Sequence, residues 1–352
     1  MGITTSTSAR IYGRGESGHL AWEKFNNIGV LKTYSANKLV PDSCSTATAL
    51  FCGVKANHKT SGLDATVEVN DCEASLKPSA RLDSIFKWAQ YAGKSTGKPS
   101  FRSTTLHVTV RDATTVASLT ALLKENFPEL ACESMTFKFP DVYSSFKESD
   151  NSRRKLKKGC ESKLWCTCQP FFRSHGNAKA RERERIEIET LAHTMDSEFG
   201  VEGGMIDQAH HRGHARKALD ETIAFSDAIE QALNLSDPAE TLIIVTSDHS
   251  HSVVLAGYPD RGTGVLAQTP SAMDRVPYTS LLYGTGGPNN YQFHVENGTV
   301  VRPDPSKNDT EDFEYSQQSA VLTDEVTHGG ADVLVFARGK GHHGFKTSLW
   351  LI

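Results

Sequence analysis

The chain has 352 residues with a formal net charge of −4, and 23% of its residues are charged and 38% hydrophobic. No apolar run approaches the roughly 20 residues that a membrane-spanning helix needs, and the mild acidity gives no general attraction to nucleic acid. We therefore expect a soluble globular protein, built either as one large α/β domain with an insert or as two domains.

The two ends of the chain carry no recognisable targeting signal. The opening MGITTSTSAR lacks the apolar stretch of a secretory signal, and the closing KTSLWLI is too short for a lipid-anchor tail. Seven cysteines fit neither a disulfide scaffold nor a clear array of zinc knuckles. The compartment is therefore not encoded in these features.

The first candidate for chemistry is the stretch VPDSCSTATALFCGVK, residues 40–55. Ser43 follows Pro-Asp and precedes a run of small residues that can begin a helix. A helix N-terminus favours an anion such as phosphate beside the serine oxygen. The alternative is an ordinary N-cap by Asp42 or Ser43, and the capping geometry is compatible with a nucleophile role.

Residues 81–91, RLDSIFKWAQY, have apolar residues at helical spacing and predict an amphipathic helix. The segment that follows, 98–190, differs in character. Residues 151–190 contain eleven Lys or Arg against five Glu, a local charge of +6, and we expect them to be poorly packed. RNA binding by this basic stretch is a disfavoured alternative, and its Cys and His spacing fits no common zinc site.

The second candidate is VEGGMIDQAHH, residues 201–211, which opens a long amphipathic helix predicted from Ile206 to Leu233. Asp207 and His211 are four residues apart and so lie on one helix face, suitable for gripping one ion. Two glycines let the backbone turn and bring Glu202 towards the same point. The alternative is an acidic helix N-terminus, and His210 is expected to be a solvated neighbour.

The third candidate follows the apolar run LIIV, which predicts a buried parallel strand. In open α/β sheets ligands lie beyond the carboxyl ends of the strands, where Asp248, His249 and His251 are found. Carboxylate and imidazole are the usual ligands of catalytic zinc, although an Asp-capped turn with surface histidines is an alternative. His328 lies in a turn before a second apolar strand, ADVLVFARG, residues 331–339, where a lone histidine is more often structural.

Taken in order, these stretches and the motifs GYPDRG, YSQQSAV and THGGADVLVFARG closely resemble the animal alkaline phosphatases, the tissue-nonspecific and intestinal-like group. The matching motifs cover about two thirds of the chain. The resemblance implies an α/β fold with a mostly parallel central sheet flanked by helices, and a crown-like insert at 257–327, which is rich in Gly, Pro, Asn and Asp.

By this resemblance Ser43 is the nucleophile that becomes a phosphoserine and contacts one of two zinc ions. His251 corresponds to a histidine that supports the ligands rather than binding metal, and Glu202 to a magnesium ligand. The implied metal ligands are Glu202, Asp207, His211, Asp248, His249, His328 and Ser43. Cys72 matches a half-cystine of the family, with Cys132 as the nearest candidate partner.

The sequence also departs from the family pattern. The family's first strand ends in Asp-Gly-Met-Gly, and this sequence opens on Met1-Gly2, so we expect the aspartate that bridges zinc and magnesium to be missing. The magnesium site is then the weakest of the three. Neither Arg102 nor Arg111 can be mapped onto the arginine that clamps phosphate, and we expect an incomplete fold.

The predicted organisation has five parts. They are 1–97 with the nucleophile loop, the unmatched segment 98–190, the core with metal-ligand motifs 191–256, the insert 257–327, and 328–352 with the last ligand, a core strand and an atypical C-terminus.

The predicted function is zinc-dependent hydrolysis of phosphate monoesters through a phosphoserine. The alternative is a catalytically impaired fragment that binds metal or pairs with an intact subunit. The resemblance further implies a homodimeric glycoprotein in a lipid-anchored, extracellular setting, and no nucleic-acid partner is expected.

Overall fold

The computed structural model describes residues 1–98, 107–109, 197–345 and 349–351. The predicted unmatched segment, 98–190, therefore lies almost entirely outside the described residues. By its internal contacts the chain divides into two compact units. Of the described residues, the first unit contains 1–33, 203–345 and 349–351, and the second contains 34–98, 107–109 and 197–202.

Helices occur in both units, and no helix in the described ranges is long and apolar enough to cross a membrane. Short 3₁₀ turns lie between them. The α-helices of the described residues are α1 (Ile3–Arg14), α2 (Ser43–Cys52), α3 (Cys72–Ser75), α4 (Ile85–Tyr91), α5 (Gly204–His211) and α6 (Ala215–Leu235).

The strands are short, mostly of two to four residues. They are β1 (Asn27–Lys32), β2 (Ser95–Lys98), β3 (His107–Thr109), β4 (Ser197–Phe199), β5 (Leu242–Val245), β6 (Ser250–His251), β7 (Val253–Leu255), β8 (Gln268–Pro270), β9 (Pro277–Thr279), β10 (Leu281–Gly286), β11 (His294–Glu296), β12 (Thr299–Val301), β13 (Ser319–Leu322), β14 (His328–Gly329), β15 (Val333–Gly339) and β16 (Leu349–Leu351).

The largest sheet of the described first unit has the order β16-β1-β15-β5. Strand β15 runs antiparallel to both of its neighbours, and only β1 and β16 pair in parallel. Three of these four strands therefore run in one direction and β15 runs against them, and the mostly parallel central sheet stays a prediction. Apolar runs report that a strand is covered by other elements, and they do not report its direction.

Strand β5 is also less buried than its apolar sequence predicts. Leu242 and Ile244 are 40% and 46% exposed, whereas Val245 is buried. Strand β15 alternates instead, with Val333, Val335 and Ala337 facing the core. Only the last residue of β5, Val245, is buried, and the candidate residues 248–251 follow it.

The core of the first unit lies between helices α1 and α6 and the strands behind them. Helix α6 presents the predicted apolar stripe, and its Ser226 Oγ accepts a hydrogen bond from the backbone of Ala21 at 2.9 Å. Trp22 and Phe225 are in tilted ring contact with centroids 5.8 Å apart. The fully buried members include Ala9, Leu20, Trp22, Ala215, Leu219, Leu281, Tyr283 and Val326.

The long helix predicted from Ile206 is interrupted. Gly213 has φ +70°, and a Cβ at this position would lie 1.9 Å from Asn290 Nδ2. A left-handed backbone and a close approach both require glycine here. The apolar stripe continues through the break, which is why its periodicity alone did not reveal two helices.

The predicted insert, 257–327, contains short strands in the described structure, as its Gly- and Pro-rich sequence indicated. Strands β8 and β9 form one pair and β11 and β12 another, while β10 lies between β7 and β13. The crown-like arrangement of this region stays a prediction.

In the second unit, α2 begins at Ser43 with Asp42 as its N-cap, and the carboxylate accepts from the backbone of Cys44 and Ser45 at 3.2 and 3.4 Å. Helix α4 begins at Ile85 rather than Arg81 because Ser84 caps it. The strand order is β3-β2-β4.

Cysteine usage in the second unit is mixed. Cys44 and Cys72 each take part in a disulfide bond, and Cys52 is a half-buried free thiol. The half-cystine role that the resemblance implied for Cys72 is confirmed, and Cys132 lies outside the described residues.

Candidate metal centre

Four side chains of the first unit converge on one point, although they are far apart in sequence. Asp207, His249, His251 and His328 each offer one ligand atom, and these atoms all lie within 4.8 Å of one another. Helix α5 supplies the aspartate, the loop after β5 and strand β6 supply two histidines, and strand β14 supplies the last. Carboxylate and imidazole ligands at this spacing are suited to a divalent metal ion.

A short ladder holds two of these histidines in place. His328 is paired with His251, and Gly329 with Ser250, in the antiparallel contact between β14 and β6. A Cβ at Gly329 would lie 2.6 Å from Ser250 Oγ and 2.7 Å from the carbonyl oxygen of His251. Gly329, the first glycine of the THGG stretch, is thus required for the two strands to approach this closely.

Asp207 lies at the middle of the histidines. Its Oδ1 is 2.7 Å from His251 Nε2, 3.3 Å from His328 Nε2 and 3.4 Å from His211 Nε2. Burial raises the pKa of Asp207, but hydrogen bonds from His251 and His328 outweigh it and hold the pKa well below its usual value. The carboxylate is therefore ionised at neutral pH.

His211 faces the same point with its free nitrogen. Its Nδ1–H donates to the backbone oxygen of Val326 at 2.9 Å, since a carbonyl can only accept. In the neutral ring this leaves a lone pair on Nε2, which lies 3.0 Å from His328 Nε2. The backbone of Val326 therefore fixes the tautomer that a metal ion requires.

His249 is oriented in the same way. Its Nδ1–H donates to the backbone oxygen of Ser250 at 3.2 Å, so the lone pair of the neutral ring is on Nε2. That nitrogen lies 3.1 Å from Asp248 Oδ2. A carboxylate oxygen and an imidazole nitrogen thus lie side by side, and both are groups that bind a divalent cation.

Burial favours the neutral form of two imidazoles of the cluster, His251 and His249. Burial lowers the pKa of His251 to about 3, although the bond to Asp207 opposes the shift. Burial also lowers the pKa of His249, against the raising effect of Asp248. A neutral imidazole is the form that binds metal, so protons compete weakly for these nitrogens near pH 7.

His251 differs from the other rings in its use of Nε2. The 2.7 Å contact to the ionised Asp207 requires a proton on this nitrogen. The proton occupies the position that a metal ion would need. This arrangement favours a role in orienting Asp207 over direct ligation.

His210 contradicts the expectation of a solvated neighbour. It is fully buried, and its two nitrogens contact Thr5 Oγ1 at 3.0 Å and Tyr283 OH at 2.8 Å. Burial lowers its pKa well below the usual value, so the ring is neutral. Sequence reasoning missed it because helical spacing puts 207 and 211 on one face and gives no partner for 210.

Two predicted site residues belong to the second unit. Ser43 is the first residue of α2, and Glu202 immediately precedes Gly203, where the first unit resumes. Asp42 accepts hydrogen bonds from Ser45 Oγ at 2.7 Å and from the backbone of Lys59 at 3.0 Å. These bonds fix the backbone that presents Ser43. The roles predicted for Ser43 and Glu202 stay predictions.

A family model described as alkaline phosphatase matches residues 1–125 and 190–348 of this chain. The tissue-nonspecific alkaline phosphatase of Gallus gallus is 30% identical over 417 residues, which cover 97% of this chain and 79% of the chicken protein. The corresponding isozyme of Homo sapiens is 30% identical over 421 residues, which cover 97% of this chain and 78% of the human protein.

Solved structures show the same fold at lower identity. A cold-active alkaline phosphatase from the psychrophile Shewanella sp. matches with a TM-score of 0.53 and 15% identity, covering 99% of this chain and 93% of its own. The alkaline phosphatase of Thermus thermophilus matches with a TM-score of 0.52 and 18% identity, covering 99% and 86%.

Proposed function

Because this chain belongs to the alkaline phosphatase family and is therefore a phosphoric monoester hydrolase, we propose that it cleaves its substrates through a phosphoserine at Ser43 with the help of two zinc ions. Membership of this family does not favour the alternative of a non-catalytic partner protein. The observation that carries the zinc proposal is the convergence of carboxylate and imidazole groups around Asp207 and His249.

The residues fit a pair of metal sites. Asp207, His211 and His328 would hold one zinc ion, since Asp207 Oδ1, His211 Nε2 and His328 Nε2 lie 3.0 to 3.4 Å from one another. Asp248 and His249 would hold the second, with Ser43 as a further ligand. Paired cations of this type stabilise the attacking and leaving oxygens of in-line phosphoryl transfer.

Ser43 is the proposed nucleophile. Its Oγ attacks phosphorus, the substrate alcohol leaves with a proton, and a phosphoserine remains. Water then attacks the same phosphorus, releases inorganic phosphate and restores the serine hydroxyl. The position of Ser43 at the start of α2 supports this role, because the backbone N–H groups of a helix N-terminus favour a negatively charged phosphoryl group.

The remaining parts of the proposal rest on the family alone. Glu202 is the proposed ligand of a magnesium ion. Phosphate monoesters are the proposed substrates, and a homodimer is the proposed assembly. We further propose that the protein is a glycoprotein that is extracellular or lipid-anchored, as the resemblance of its motifs to the family implies.

The proposal is tested by assaying hydrolysis of p-nitrophenyl phosphate at alkaline pH with wild-type protein, Ser43→Ala and the control Ser75→Ala. Ser75 Oγ donates to the backbone of Cys72 at 2.8 Å, so the control removes a hydroxyl of the same unit that has only a local role. We expect kcat to fall about a thousand-fold or more for Ser43→Ala alone, since the nucleophile is lost.

Metal analysis of the same preparations completes the test. We expect about two zinc ions per chain in the wild type and a zinc content of at least one in Ser43→Ala, because the other ligands remain. Undiminished turnover by Ser43→Ala would reject the serine as nucleophile, and a metal-free but active wild type would reject the zinc mechanism.

A further inference from the structure

A buried chain of polar contacts lies directly behind the candidate metal centre. Thr5 Oγ1 is 3.0 Å from His210 Nε2, and Tyr283 OH is 2.8 Å from His210 Nδ1. Thr5 is 1% exposed, and His210 and Tyr283 are completely buried. We call these three residues the His210 relay.

The relay joins three elements of the first unit. Thr5 lies on α1, His210 on α5 and Tyr283 on β10. The neutral imidazole has one N–H and one lone pair, so one hydroxyl must donate to the ring and the other must accept from it. The ring is therefore held at both ends, and it cannot rotate without breaking both bonds.

The relay reaches the candidate centre through one ring contact and one hydrogen bond. The centroids of His210 and His251 are 4.9 Å apart with 32° between the ring planes. His251 in turn holds Asp207 by the 2.7 Å bond between Nε2 and Oδ1. Asp207 is the carboxylate that His211 and His328 face.

His251 has little else to fix its ring. Its Nδ1 is buried and makes no hydrogen bond in the described part of the chain. The remaining constraints on the ring are the Asp207 bond and the packing of neighbouring imidazoles, and among these His210 is held at both nitrogens by side chains of other elements. A shift of His210 would therefore be transmitted to His251 and on to Asp207.

We propose that Thr5, His210 and Tyr283 are positioning residues of the metal centre, which hold His251 and Asp207 in the geometry that binds zinc. The inference rests on the proposed function, because it assumes that the cluster takes up metal. It assigns no contact with substrate to these residues. Loss of a relay bond should weaken zinc binding, as the loss of outer hydrogen-bond partners does in zinc sites generally, by about 10-fold or more.

The test uses two substitutions that preserve shape and remove only a hydroxyl function, Tyr283→Phe and Thr5→Val. Zinc affinity of the full chain is measured by competition with a chromophoric chelator. We expect each variant to bind zinc about 10-fold more weakly, and Thr5→Ser to recover the wild-type affinity because it restores the hydroxyl. The control is Thr222→Val, since Thr222 is a fully buried threonine whose hydroxyl bonds only to Ala218 of its own helix.

A merely structural role would lower the melting temperature of the metal-free protein in Tyr283→Phe, Thr5→Val and Thr222→Val alike and leave zinc affinity unchanged. The proposal instead predicts a lower kcat at limiting zinc for Tyr283→Phe and Thr5→Val, recovery at excess zinc and an unchanged KM. Wild-type protein that binds no zinc would overturn the proposed function. Zinc-binding wild type with unchanged affinity in both variants would overturn the relay alone.

Discussion

His328 and His251 lie opposite each other in the antiparallel pair of β14 and β6, so that two rings from distant parts of the sequence reach the same carboxylate. Main-chain pairing fixes the separation of their backbones. A change in the spacing of these two strands must therefore change the distance between the two rings.

We expect Gly329→Ala to weaken zinc binding about 10-fold or more, because its Cβ would meet Ser250 Oγ at 2.6 Å and the backbone of His251 at 2.7 Å. The backbone oxygen cannot move aside without moving the strand, and a loss of about 1–3 kcal/mol in stability should accompany the change. Chelator competition and urea denaturation measure the two effects. Gly344→Ala is the matched control, since a Cβ there meets no atom within 4 Å, and equal behaviour of both variants would refute the steric argument.

The stability of the metal-free protein should rise with pH between about 3 and 6.5. In the unfolded chain His251 has an ordinary pKa near 6.5, whereas burial lowers its pKa to about 3 in the folded state. The unfolded state binds more protons in this interval, so the free energy of unfolding increases as pH rises and is lost as pH falls. Urea denaturation in the presence of chelator should show this slope, and a smaller slope for His251→Asn; a slope of opposite sign would contradict the assignment.

Removal of zinc should lower the stability of the first unit more than that of the second. A ligand bound only by the folded state stabilises it by about 2.7 kcal/mol at a free concentration of 100 times Kd. The side chains that gather around Asp207 come from the first unit alone. Hydrogen exchange with and without chelator should show increased exchange in β6, β14 and α5, and uniform protection in both states would argue against metal binding at this cluster.

Asp42→Ala should destabilise α2 and lower turnover together. Its carboxylate accepts from the backbone of Cys44 and Ser45 and also from Lys59, and such a cap contributes about 1–2 kcal/mol. The start of α2 carries Ser43, so loosening it should reduce kcat. Asp42→Asn keeps one acceptor oxygen and should retain part of both properties. Full activity in a destabilised Asp42→Ala variant would show that the cap has no part in presenting Ser43.

Several features of the site followed from the sequence because they depend on local spacing. The pair Asp207 and His211 is separated by one helical turn, and the structure places His211 Nε2 3.4 Å from Asp207 Oδ1. The residues after LIIV follow a strand end, where side chains are free to converge. His328 could be placed only through the family motif, since no local pattern connects it with residues more than a hundred positions earlier.

Other features depended on long-range contacts that no local pattern carries. From its position between Asp207 and His211, His210 was predicted to be solvated. In the structure both of its nitrogens contact buried side chains, those of Thr5 and Tyr283. The direction of β15 is set by its neighbours, so its apolar sequence could not exclude antiparallel pairing. The break at Gly213 arises from the proximity of Asn290, which is 77 positions later in the chain.

The donors of His211 and His249 both end on main-chain oxygens, those of Val326 and Ser250. A peptide carbonyl is present whatever amino acid occupies the position, so a replacement of Val326 or Ser250 that leaves the backbone in place keeps the acceptor for each imidazole. The tautomers of the two rings therefore depend on the backbone conformation, and they depend little on which side chains Val326 and Ser250 carry.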